Sequence, residues 1–212
     1  MLSADNSSVS ICSAESHAQI SPPMDHGSQI SSFAFSDDWK TAATINYSGE
    51  IKLWNIKDGT LIASGMNHEN TVSTTVFSKK GDLLLTSSND NTARIWSTRD
   101  GRPQGAPLRH SSFVHSSQFS PLGDRVGTVC YDRTARVWDV ATSRPLTEPL
   151  ELLGPATSCL WRSEGQHLVS VGRILSSSWD VPAVTSTPPQ WLADWAESVG
   201  GARLNENGDL EP

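Results

Sequence analysis

The sequence predicts an all-β fold built from one repeated unit, and three observations carry that expectation. Tryptophans recur at Trp54, Trp96, Trp138 and Trp179, separated by 42, 42 and 41 residues. Phe35, Phe77, Phe119 and Trp161 keep a period of 42, as do His26, His68 and His110, and Thr44, Thr86 and Thr128 with Ser170 as a fourth member. Inside each period, apolar and β-branched residues come in short runs split by turn signals, the pattern of strands joined tightly rather than of helices.

The second copy shows the elements most clearly. Val72–Phe77 and Leu83–Ser88 read as strands, separated by the turn Lys79-Lys80-Gly81-Asp82, whose glycine recurs at Gly123 and Gly165. Asn89-Asp90-Asn91 turns the chain into a third strand over 92–96, and Asp100-Gly101 breaks it again. Each unit is thus a meander of three clear strands and a weaker fourth. Strands of this length repeated at this period match the blades of a β-propeller.

Organisation follows from the period. Four units are expected over 26–66, 67–108, 109–150 and 151–181. Cys12 lies 42 residues before Trp54, so residues 1–25 read as the last strands of a preceding blade, with a disordered leader as the alternative. Thr185-Ser-Thr-Pro-Pro marks a linker within 182–212. Trp191, Leu192, Trp195 and Val199 then share one face of a short C-terminal helix between Pro189 and Gly200-Gly201. Four blades are few for a conventional ring, so a partial or open propeller is expected, whose open edges could support self-association.

The dipeptides Trp138-Asp139 and Trp179-Asp180, relaxed to Trp54-Asn55 and Trp96-Ser97, stand beside Asp25-His26, Asn67-His68 and Arg109-His110 and the turn aspartates Asp90 and Asp132. On these motifs residues 26–181 resemble the WD-repeat (WD40) β-propellers. The resemblance implies a buried chain of hydrogen bonds in each blade, joining the histidine, a strand hydroxyl, the turn aspartate and the tryptophan. The second repeat would supply His68, Thr86 or Ser88, Asp90 and Trp96; the third, His110, Thr128, Asp132 and Trp138. The first offers His26, Thr44 and Trp54, with Ser48 at the aspartate position, and the fourth only Ser170 and Trp179, with Arg173 there. The middle blades should therefore be the better locked.

A recurring histidine and aspartate could also suggest an acid–base pair. A structural network must repeat along a chain, whereas an active site seldom does, so the repetition speaks for stability. His115 and His167 fall off the series. No GxSxG elbow, glycine-rich phosphate loop or HExxH is present, and Cys12, Cys130 and Cys159 show no CxxC spacing. No enzymatic activity, cofactor or metal site is expected.

Composition bounds the partners. A net charge of −7 with 16 scattered Lys and Arg residues argues against binding nucleic acid. No apolar run is long enough for a membrane span, and the start lacks an export signal, so a cytoplasmic protein is expected. The remaining reading is a non-catalytic scaffold for a protein or peptide partner. Tyr47, Asn89 and Tyr131 recur just before the turn aspartate position and would line one rim, while Trp191 and Trp195 offer a second apolar contact. The string from Leu192 to Leu204 resembles the segment following WD repeats in bacterial multidomain proteins, some of which carry a serine/threonine kinase domain. That likeness implies the C-terminal part of a larger protein, or the regulatory segment of a kinase whose catalytic domain lies outside this chain.

Overall fold

Neighbouring residues on a strand point to opposite faces, so a strand that buries consecutive residues must be covered on both sides. Ala42–Asn46, Leu84–Ser88 and Arg125–Cys130 are all buried, and each belongs to the second strand of a four-stranded sheet. The computed structural model describes residues 2–4, 6–13, 15–154, 156–162, 165–172, 176–181, 203–204 and 210–211.

The chain divides into two units, Met1–Val181 and Pro182–Pro212. In the first, the described residues form five antiparallel sheets that follow one another along the sequence. The opening sheet has three strands, β1 (Leu2–Ala4), β2 (Ser8–Ile11) and β3 (Met24–Asp25). Four strands make the second: β4 (Ile30–Phe35), β5 (Thr41–Asn46), β6 (Glu50–Asn55) and β7 (Leu61–Asn67). The third holds β8 (Val72–Phe77), β9 (Leu83–Ser88), β10 (Thr92–Ser97) and the short β11 (Leu108–Arg109). The fourth holds β12 (Val114–Phe119), β13 (Arg125–Cys130), β14 (Thr134–Asp139) and β15 (Leu150–Glu151). The fifth has β16 (Ala156–Arg162), β17 (His167–Gly172) and β18 (Ser176–Asp180). In the second unit, β19 (Arg203–Leu204) pairs antiparallel with β20 (Leu210–Glu211). The helix expected between Pro189 and Gly200, with Trp191 and Trp195, lies outside the described residues. Among those residues no helix is long and apolar enough to cross a membrane.

Among the described residues, four apolar clusters sit between successive sheets. Val9 and Met24 meet Ala42, Trp54 and Ile56 between the first two. Ala43, Ile45, Leu53 and Met66 meet Val72, Phe77, Leu84 and Trp96 at the next interface. Leu85 and Ile95 then meet Val114, Phe119, Val126 and Trp138, and Val129 and Val137 meet Cys159 and Leu168. Adjacent residues such as Leu84 and Leu85 thus serve different interfaces. This explains why the second strand of each unit is a nearly unbroken apolar and hydroxyl run instead of an alternating one. Among the described residues no such cluster joins the first sheet to the fifth.

The period extends to backbone irregularities. The first strand of each later sheet shifts register between Ile30 and Ser32, Val72 and Thr74, Val114 and Ser116, and Ala156 and Ser158. Between first and second strands, Gly81 and Gly123 adopt φ of 75° and 77°, the left-handed region that costs glycine nothing. Trp39 holds the same place at φ 56°, and its ring stacks on Phe35 at 5.4 Å. That stacking opposes the backbone cost of about 1–2 kcal/mol.

Candidate functional site

The repeated polar residues gather where one sheet hands the chain to the next. His26, His68 and His110 follow the last strands β3, β7 and β11, and each ring reaches a threonine on the second strand of the following sheet. Tight turns between second and third strands lie at this same end. Backbone bonds tie the two loops together: His68 donates to Gly49 O, His110 to Asn91 O and Leu152 to Arg133 O. Gly49, with φ of 87°, is required here, since a Cβ would stand 2.6 Å from Asn70 O and 2.8 Å from His68 O.

The second-repeat network is complete. Trp96 Nε1 donates to Thr86 Oγ1 at 2.9 Å, that hydroxyl lies 2.8 Å from His68 Nε2, and His68 Nδ1 lies 2.7 Å from Asp90 Oδ2. A neutral His68 protonated on Nδ1 satisfies all three bonds, with the threonine hydroxyl donating to Nε2. Asp90 also accepts from the Glu69 and Thr92 amides and the Thr92 hydroxyl. Burial would push Asp90 up, but the hydrogen bonds from His68 and Thr92 hold its carboxyl well below the usual carboxylate range. Of the two candidate hydroxyls Thr86 is the hub; Ser88 donates to the loop carbonyls of Asn70 and Thr71 and accepts from the Asp90 amide.

The third repeat keeps half of this chain. Trp138 Nε1 donates to Thr128 Oγ1 at 2.8 Å, and His110 Nε2 lies 2.8 Å from the same atom. Asp132 accepts from the amide and hydroxyl of Thr134, while His110 Nδ1 is buried without a hydrogen-bond partner. Asp132 therefore departs from the role expected of it. Cys130 takes the place of Ser88 and donates to Ser112 O at 3.1 Å; burial pushes its thiol up to about 11.

In the first repeat, His26 Nε2 is buried without a hydrogen-bond partner, and a residue the sequence reading missed stands near it. Trp54 Nε1 donates to Thr44 Oγ1 at 2.8 Å, and His26 Nδ1 lies 2.7 Å from that oxygen. Glu50, at the position of Thr92 and Thr134, brings Oε2 to 3.7 Å from His26 Nε2, too far for a hydrogen bond but close enough for electrostatic interaction. Lys52 donates to His26 O at 2.7 Å. A carboxylate two residues beyond the usual turn position was the available signal. In the fourth repeat Leu152 replaces the imidazole and packs with Val129, Val137, Cys159 and Leu168, while Ser170 is buried on β17. Of the off-series histidines, His167 pairs across the strands with Asp180 at 2.6 Å.

The rim residues divide. Tyr47 and Tyr131 are 59% and 72% exposed. Asn89 is held by its own blade, its amide nitrogen donating to Thr71 Oγ1 and its Oδ1 accepting from Ser73. Beside Tyr131 the structure places Phe113, 47% exposed, with ring centroids 6.5 Å apart. Phe113 has no counterpart in the other repeats, where Gln29 and Thr71 align with it, so the period could not reveal it.

Residues 59–97 and 102–139 match the family model for the WD domain, G-beta repeat. These two segments are WD40 repeats. Repeats of this type mark protein-interaction scaffolds. No curated protein matches the chain. Among solved structures it is similar to the computationally designed Ika4 protein, at 23% identity over 74% of this chain and 94% of that one, with a TM-score of 0.65. It is also similar to the computationally designed Ika8 protein, at 21% identity over 86% of this chain and 55% of that one, with a TM-score of 0.74. At such identities the likeness shows the fold alone.

Proposed function

We propose that this chain is a non-catalytic scaffold that binds a protein or peptide partner at the end of the sheets carrying the histidine loops. The observation that carries the reading is the exposed aromatic set Tyr47, Phe113 and Tyr131 on loops anchored by the buried networks. Aromatic side chains bring large contact area at small entropic cost, and anchored loops lose little freedom on binding. Asn89 belongs to the framework of this surface, and Trp191 and Trp195 supply a second contact. The test is recovery of a partner by the purified chain and by a Tyr47, Asn89 and Tyr131 triple-alanine variant. The reading expects loss of the partner from the variant; equal recovery overturns it.

The tail string from Leu192 to Leu204 supports a second reading, a regulatory segment of a serine/threonine kinase in a larger bacterial protein. An in-frame kinase sequence upstream of Met1 in the gene supports it, and a promoter immediately before Met1 removes it.

A further inference from the structure

His110, Cys130 and Asp132 bring one imidazole nitrogen, one thiol sulfur and one carboxylate oxygen together, all within 4.8 Å of one another. We propose that these three side chains form a binding site for a divalent transition-metal ion of the zinc class. The expectation of no metal site came from spacing along the chain; the residues meet through the fold, His110 from the loop after β11 and the other two from the end of β13 and its turn.

The preceding repeat is an internal comparison on the same backbone. There His68, Ser88 and Asp90 occupy the matching positions, and the imidazole Nδ1 is already taken by Asp90 at 2.7 Å. In the third repeat a thiol replaces the hydroxyl, the histidine–aspartate bond is missing, and Nδ1 is sealed from solvent with no partner. A buried polar atom without a partner destabilises the fold, and a ligated ion would satisfy it.

The donor set suits the ion. Thiolate, imidazole and carboxylate are zinc ligands, and three of them leave a fourth position for water or a further ligand. One thiolate and one carboxylate balance the two positive charges. The remaining nitrogen is already oriented: with a metal on Nδ1, Nε2–H donates to Thr128 Oγ1 at 2.8 Å, and the Thr128 hydroxyl turns to Arg136 O at 3.4 Å. Such a partner fixes the tautomer and ring plane of a ligating histidine. Burial and the nearby Arg136 keep His110 neutral, the form that ligates. Cys130 is protonated when metal-free, so binding forms the sulfur–metal bond and releases one proton to solvent.

The test is titration of the untagged, chelator-treated chain with Co(II), followed by competition with Zn(II). The expected result is one equivalent bound, with a near-ultraviolet thiolate-to-cobalt charge-transfer band that Zn(II) abolishes. Cys130→Ser should lose that band while remaining folded by circular dichroism, since serine stands there in the preceding repeat. Cys12→Ser and Cys159→Ser should keep it, and His110→Gln should lower the affinity at least tenfold. Absence of the band in the wild-type chain, or its persistence in Cys130→Ser, overturns the proposal.

Discussion

His68 lies on the loop that leaves the second sheet and Thr86 on the second strand of the third, yet their side chains stand 2.8 Å apart and share one buried hydrogen-bond chain with Trp96 and Asp90. The bond is therefore a joint between sheets. Because the threonine oxygen serves both the indole and the imidazole, Thr86→Val strands two buried polar groups and should cost about 2–4 kcal/mol. Thr86→Ser keeps the hydroxyl and should cost about 1 kcal/mol. Urea unfolding of both variants checks this; equal losses would contradict the hub role.

Gly127 marks a second close approach, where the fourth sheet meets the fifth. A Cβ at Gly127 would stand 2.5 Å from Leu168 Cδ1 and 3.4 Å from the Trp161 ring. Leu168 is fully buried, so Gly127→Ala overpacks that interface and should cost about 1–3 kcal/mol. Adding Leu168→Val should recover part of the loss. Additive destabilisation in thermal unfolding would contradict the assignment.

Acid should loosen the joints. Burial, followed by Lys52, lowers the pKa of His26 from its ordinary 6.5, and burial, followed by Arg136, lowers His110 to about 4. Both rings take up protons more readily in the unfolded chain. The contribution of these two rings to stability is therefore fully present above pH 6.5 and is lost as pH falls from there toward about 4. Denaturation midpoints measured with chelator across that interval should fall less steeply for His110→Asn than for the wild type. Identical slopes would contradict the shift.

The framework was legible because period and alternation are properties of the chain itself. The 42-residue spacing placed Trp54, Trp96 and Trp138 at equivalent joints, and the turn signals located Gly81 and Gly123. Substitutions that exchange partners across space were not legible. Glu50 brings a carboxylate near His26 from two positions beyond the missing turn aspartate without bonding it, and the third repeat keeps both His110 and Asp132 without bonding them. Phe113 stayed hidden for a related reason: it breaks the period, and only the loop geometry brings it to Tyr131.

The claim that partners engage the histidine-loop end is tested most directly by site-specific photocrosslinking. A photoreactive residue at Tyr131 reports on that end, and one at Leu122, 71% exposed on the turn between β12 and β13, reports on the opposite end. The account predicts a crosslinked partner from position 131, reduced by Tyr47→Ala, and none from position 122. Crosslinking only from position 122, or equally from both, would contradict it.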